Sequence, residues 1–322
     1  MIQAKRVLVS GAGGFIGRWS VAALLRLGYE VHAVLSGTAS RAIPLELHGA
    51  KIHFADLFND SAVDDLMSAV RPSHLLHFAW IATPGLYWQS EENFRWLAAS
   101  ERLLRCFAGC GGTRAMMAGS CVEYDWTRVE VCDELLSPLA NDLTAPLTAY
   151  ASCKIGLQKT LAEVGRRERL STAWGRIFFQ FGPYEHPERL VPFVICNLLR
   201  HREAACSHGR QVRSFLHVAD VGAAFAAVLD SRLEGPVNIG SDERLALADL
   251  IERIGRQIGR PELLRLGARP APPHEPRVLL PDVRRLRDEA GWRPRYTLNE
   301  ALAETIVWWR RTLGDRAGAA VP

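Results

Sequence analysis

Through about residue 180 the chain alternates short apolar runs with amphipathic stretches of helical period. The first apolar run, Val7-Leu8-Val9, passes straight into Ser10-Gly11-Ala12-Gly13-Gly14-Phe15-Ile16-Gly17. An amphipathic stretch from Arg18 to Leu27 follows and stops at Gly28. Further strands are expected at residues 29–35, 51–57, 75–80, 114–119 and 170–177. Helices are expected at 62–70, from about 91 to 110, and from 148 onward, where Ile155, Leu157, Leu161 and Val164 recur at helical spacing. Strands alternating with helices predict a parallel, doubly wound sheet.

After residue 180 the texture changes. Gly182-Pro183-Tyr184-Glu185-His186-Pro187-Glu188-Arg189 reads as a polar loop marked by prolines. Helices are expected at 191–200, 219–229 and 246–258, with the short run Pro236-Val237-Asn238-Ile239 between the last two. Residues 260–281 are rich in proline and arginine and read as loop, while 282–290 and 298–313 read as helical before a frayed tail. The expected fold is therefore α/β: a Rossmann-type doubly wound parallel sheet with a smaller C-terminal substrate-binding α/β region. Residues 1–180 form its dinucleotide-binding part, 214–240 return to that part, and 181–322 otherwise make the second region.

Length and composition narrow the class. A chain of 322 residues suits one large or two modest domains with a full core. The net charge of +4 comes from dispersed Lys and Arg, so no nucleic-acid footprint is visible. No apolar run approaches a membrane span, and the basic start has no secretory apolar stretch behind it, so a cytoplasmic protein is expected. The seven cysteines are odd in number and scattered, and Cys106 and Cys110 lack the partners of a zinc site. Reduced thiols and no metal are expected.

The glycine turn points to a dinucleotide. Strand, turn and helix start bring backbone N–H groups and a positive dipole end to one point, which suits a pyrophosphate. Gly11, Gly14, Phe15, Ile16 and Gly17 are the candidate residues, although a structural turn alone would look similar. Many NAD-binding folds place a carboxylate after the second strand; this chain has Leu35-Ser36-Gly37-Thr38-Ala39-Ser40-Arg41. Without that carboxylate, a 2′-phosphate is not repelled, and Ser36, Ser40 and Arg41 can hold it. NADP(H) is therefore favoured over NAD(H). Asp56 and Leu57 fall where an adenine would pass.

Tyr150-Ala151-Ser152-Cys153-Lys154 places a tyrosine and a lysine on one helix face. A phenol titrates near pH ~10 and is a poor base at neutrality. An adjacent ammonium stabilises the phenolate, so the pair can pass a proton to or from a carbinol oxygen as a nicotinamide exchanges hydride. Ser120, at the end of the fifth strand, is placed to hold the same oxygen. The Tyr-x-x-x-Lys spacing also arises by chance; its company with the glycine turn and Gly119-Ser120 gives it weight.

With these residues assembled, the chain resembles the extended short-chain dehydrogenase/reductases, in the branch acting on nucleotide-sugars. The resemblance rests on Gly11-Ala12-Gly13-Gly14-Phe15-Ile16-Gly17, His77-Phe78-Ala79, Gly119-Ser120 with Tyr124, Tyr150-x-x-x-Lys154 and Gly182-Pro183. It extends through Arg213-Ser214-Phe215-Leu216-His217-Val218, Asn238-Ile239-Gly240 and Gly291-Trp292-Arg293-Pro294. It implies a catalytic group of Ser120, Tyr150 and Lys154, with Lys154 and Ala79 also serving the cofactor. Arg213 would hold a substrate diphosphate, and the segment from Phe179 to Arg189 would line a nucleotide-sugar pocket. From the residues alone, Arg213 is equally a solvated strand-edge charge. The resemblance also implies a homodimer built on the helices at 91–110 and 150–166.

Departures from the family pattern select the subclass. The 4,6-dehydratases resemble one another in a Thr-Asp-Glu run where this chain has Ser120-Cys121-Val122, and Glu123 falls one place late. The epimerase-reductases of fucose nucleotides place a cysteine two residues after the serine; here Cys121 follows directly and is expected to be buried and inert. Phe179 stands where epimerases carry an Asn. These departures favour reduction of a 4-keto group on a nucleotide-linked 4-keto-6-deoxyhexose by NADPH. The alternative is an NAD-dependent nucleotide-sugar 4-epimerase, and a remote one is a non-catalytic dinucleotide sensor. Trp80 and Thr83 are candidates to face the hexose, against a bland reading of the aromatic stretch as core packing.

Overall fold

The computed structural model describes residues 5–37, 42–141, 147–272 and 275–318. Seven strands make one parallel sheet: β1 (Arg6–Ser10), β2 (Glu30–Leu35), β3 (Lys51–Phe54), β4 (His74–His77), β5 (Arg114–Ser120), β6 (Ser171–Ile177) and β7 (Gly235–Ile239). Their spatial order is β3-β2-β1-β4-β5-β6-β7. The chain thus moves outward from β1 through β2 and β3, then returns to the other side of β1 with β4. In open α/β sheets that reversal leaves a crevice at the carboxyl ends of β1 and β4, where ligands bind.

A parallel sheet covered on both faces needs apolar residues pointing both ways. Val7 and Val9 of β1 enter one core, with Val21 and Leu24 of α1 (Gly17–Arg26) and Val221 and Phe225 of α6 (Val218–Asp230). Leu8 enters the other core, with Leu66 of α2 (Asp60–Val70), Leu104 of α3 (Glu92–Gly109) and Leu161 of α4 (Ala149–Glu168). A separate apolar cluster joins α5 (Leu190–Leu199), α7 (Leu247–Ile258) and α8 (Leu298–Gly318), centred on Val194, Ile254 and Leu302. No helix among the described residues is long and apolar enough to cross a membrane.

Three expected elements end differently. The third strand stops at Phe54, after which Asp56 Oδ1 accepts the Phe58 N–H at 2.9 Å and turns the chain. The fourth stops at His77, three residues short of Trp80. There the glycine turn presses against the chain: a Cβ on Gly11, whose φ is +65°, would lie 2.7 Å from the Ala79 nitrogen. His77 bridges Ser10 Oγ at 2.6 Å and Ser100 Oγ at 2.8 Å, and burial holds its pKa down at about 3. It is a neutral structural pin. Residues 282–290 contain only a π-type turn, Arg285–Glu289. The tail beyond 318 lies outside the described residues.

Gly17 opens α1 with its Cα facing the turn, and a Cβ there would lie 2.2 Å from Gly11 O. Helix propensity alone favours Ala over Gly by ~1 kcal/mol. The clash reverses that sign, so Gly17→Ala is expected to destabilise the fold by about 1–3 kcal/mol in urea denaturation. A gain in stability would contradict this close approach.

Candidate active site

The start of α1 lacks a cap of its own. Ile16 offers no side-chain acceptor, and the first turn holds no acidic residue. Gly14 N–H bonds Gly11 O at 2.9 Å, while the N–H groups of Phe15, Ile16 and Gly17 meet no acceptor among the described residues. Free donors at a helix start fit the phosphates of a dinucleotide. Arg18, which the sequence reading did not single out, secures the turn from outside. Its Nη2 and Nε donate to Gly13 O at 2.7 Å and Gly14 O at 3.1 Å, and its guanidinium lies 3.8 Å from the Tyr184 ring centre. Ser36 is exposed just past β2, Asp56 is exposed, Leu57 is buried and Ala79 is half-buried. Ser40 and Arg41 lie outside the described residues.

The Tyr150–Lys154 pair sits on the first turns of α4, which Thr148 caps by accepting the Ala151 N–H at 3.1 Å. Tyr150 is half-buried, with the Tyr87 ring edge-on at 4.9 Å. Burial raises its phenol above the ordinary value, and the neighbouring Ser120 side chain opposes that shift. Lys154 is buried and donates to Ala118 O at 2.9 Å. Its Nζ lies 5.8 Å from the Tyr150 ring centre, and burial pulls its pKa down to about 7. Ser120, Tyr150 and Lys154 therefore come together at the carboxyl end of β5.

Glu123 sets the position of Ser120. Its Oε1 accepts the Ser120 N–H at 2.7 Å, and its Oε2 accepts from Trp174 Nε1 at 2.9 Å and Arg176 Nε at 2.8 Å. The carboxylate is fully buried with both oxygens engaged, so it is a structural anchor. Cys121 is buried, and burial pushes its thiol up to about 12.

The other candidates fall into two groups. Arg213 is buried, which rules out the solvated-edge reading; its Nη2 donates to Pro276 O at 2.7 Å and Glu275 Oε1 at 3.2 Å. Its guanidinium lies 5.3 Å from the Phe179 ring. Arg189 is exposed and lies 5.6 Å from the Tyr87 ring. Thr83 is exposed, and its carbonyl accepts the Leu86 and Tyr87 N–H groups in a turn. Trp80 is half-buried; its Nε1 donates to Asn93 Oδ1 at 2.9 Å, and its ring carries Lys154 Nζ at 3.8 Å.

Glu185 lies within the Phe179–Arg189 segment but was not singled out, and its Oε2 is buried with no hydrogen-bond partner among the described residues. Burial raises its carboxyl to about 8, against the opposing pull of Arg189 and the Gly182 backbone. Nothing in the local pattern distinguishes this glutamate from its solvated neighbour Glu188.

Residues 7–240 match the model of the NAD dependent epimerase/dehydratase family. UDP-glucuronic acid decarboxylase 1 of Xenopus tropicalis is 25% identical over 97% of this chain and 74% of its own. UDP-glucose 4-epimerase of Corynebacterium glutamicum is 24% identical over 98% of each chain. Among solved structures, a dTDP-glucose 4,6-dehydratase from Bacillus anthracis in complex with NAD gives a TM-score of 0.81 at 20% identity, covering 97% of this chain and 98% of that one. The last likeness is one of fold.

Glu185 makes stability depend on pH. Between its ordinary value of 4.5 and the folded value of about 8, the fold keeps a proton that the unfolded chain releases. The stabilisation is complete below the lower value and is lost as pH rises through the upper one. Glu185→Gln is expected to flatten that decline, measured as urea midpoints across the interval. Parallel curves for the two proteins would contradict the burial of this carboxyl.

Proposed function

The chain belongs to the NAD dependent epimerase/dehydratase family, and from that premise we propose a nucleotide-sugar 4-ketoreductase. It reduces the 4-keto group of a nucleotide-linked 4-keto-6-deoxyhexose with NADPH. The observation that carries this reading is the complete engagement of Glu123 with Ser120, Trp174 and Arg176. The carboxylate nearest the catalytic group is thereby withdrawn from proton transfer to sugar carbons. Ser120, Tyr150 and Lys154 remain, and they suffice for carbonyl reduction.

In that reaction the Ser120 hydroxyl holds the ketone oxygen and Tyr150 donates a proton to it. The Lys154 ammonium offsets the burial that disfavours the phenolate. A bound nicotinamide dinucleotide supplies the hydride to the carbonyl carbon. The N–H groups of Phe15, Ile16 and Gly17 would hold its phosphates, with Ser36, Asp56, Leu57, Ala79 and Lys154 along its length. The missing carboxylate after β2 supports NADP(H). Arg213 and Arg189 would receive the substrate diphosphate, beside Phe179, within a nucleotide-sugar region made mainly of residues 181–322. We further propose a homodimer through α3 and α4.

The test is cofactor oxidation by purified protein offered a panel of nucleotide-linked 4-keto-6-deoxyhexoses, with NADPH and NADH in parallel. Stoichiometric NADPH oxidation with one member is expected. Tyr150→Phe is expected to lower turnover by roughly 10²–10⁴-fold while cofactor binding is retained. No oxidation with any member, together with co-purified NAD and interconversion of UDP-hexoses, would overturn the reductase in favour of the 4-epimerase. Cofactor binding with neither activity would indicate a sensor.

A further inference from the structure

Lys154 is a buried ammonium without a carboxylate partner among the described residues. Its relative exposure is 3%, and among the described residues its one hydrogen bond goes to Ala118 O. The charged and titratable groups around it are few. Glu123, from the turn after β5, acts on it through space, but both carboxylate oxygens are already engaged. His77 of β4 stays neutral, and Cys153 and Tyr150 neighbour it on α4. An ammonium carries three donors, so a single carbonyl leaves most of its charge unanswered.

The Trp80 ring supplies an answer. Lys154 Nζ lies 3.8 Å from its centre, and the face of an indole bears the negative part of the ring quadrupole. The ring is fixed in place. Asn93, fully buried, accepts from the indole N–H and donates through Nδ2 to Tyr87 O at 2.6 Å and Ser90 O at 2.8 Å. Trp96 lies nearly parallel to the indole, at 28° and 6.5 Å. Tyr87 in turn packs edge-on against Tyr150. The contacts close a loop: Tyr150, Tyr87, Asn93, Trp80, Lys154 and back to Tyr150 along α4.

We propose that Trp80, locked by Asn93, is a positioning residue whose ring face keeps Lys154 charged and aimed toward Tyr150 in place of a carboxylate. The proposal rests on the reading of Tyr150 and Lys154 as the acid–base pair. It gives the aromatic stretch after β4 an electrostatic role distinct from sugar stacking. A neutral ring can do this beside a polyanionic substrate and cofactor without repelling either, as a carboxylate would.

The test is the titration of Lys154 in the cofactor-free protein, followed at the Cε resonance of isotope-labelled lysine. The chain has four lysines, and Lys154→Arg assigns the signal. Trp80→Leu is expected to lower the midpoint by about one pH unit, a tenfold loss of the charged form, and Trp80→Phe to restore most of it. Because Trp80→Leu removes packing too, a second series replaces all nine tryptophans by mono-, di- and trifluorotryptophan, which preserves shape and weakens the ring face stepwise. A stepwise fall of the midpoint is expected; a flat series, or equal shifts for Phe and Leu, would overturn the proposal. The alkaline limb of the reduction profile is expected to move by the same amount. Since the titration needs no turnover, an unchanged midpoint removes this role and leaves the reductase standing, while absent turnover does the reverse.

Discussion

Glu123 and Arg176 meet at 2.8 Å beneath the carboxyl ends of β5 and β6, each almost wholly removed from solvent. Removing one partner of such a pair strands the other charge and typically costs about 3–5 kcal/mol. Here the pair is also the centre of a larger network. Arg176 donates to Tyr124 Oη at 2.9 Å and to Gln158 of α4 at 2.8 Å, and Tyr124 donates to Asn238 of β7 at 2.7 Å. Asn238 continues to the carbonyls of Cys132 and Asp282. One buried polar system thus ties three strands, helix α4 and the loop after β5, and it holds Ser120 at its upper end.

This arrangement connects fold to chemistry. The carboxylate that anchors Ser120 has both oxygens engaged, so it takes no part in the reaction we propose. In the proposed reaction, proton transfer is left to a phenol raised by burial and a lysine lowered by burial. Each shift works against the charged form that the mechanism uses, so neighbouring groups must compensate. The Ser120 hydroxyl does so for Tyr150, and the indole face of Trp80 lies where it can do so for Lys154.

What the sequence disclosed was the part written locally. The glycine turn shows because Gly11 needs positive φ and Gly17 needs a missing Cβ, and both demands are met within a few residues. Strand and helix alternation shows because each element carries its own period. The Tyr150–Lys154 spacing shows for the same reason. The end of β4 did not, because it is decided by the approach of Gly11 to Ala79 across the sheet. Nor did the partners of Trp80, the engagement of Glu123 or the burial of Glu185. The first two depend on residues that the fold brings from further along the chain, as Lys154 is brought to Trp80 and Arg176 to Glu123 across 53 positions; the third shows only once the loop is folded.

The most direct test of the central claim is the fate of hydrogen from the C4 position of the nicotinamide. NADPH carrying deuterium there would be incubated with the protein and the 4-keto-sugar nucleotide that it turns over. The account predicts one deuterium at C4 of the product sugar for each NADPH oxidised. No deuterium in the sugar and no oxidation of added cofactor, together with unlabelled C4 inversion of a 4-hydroxy nucleotide-sugar offered in parallel, would contradict it and show that the three residues serve a transient, internally returned hydride.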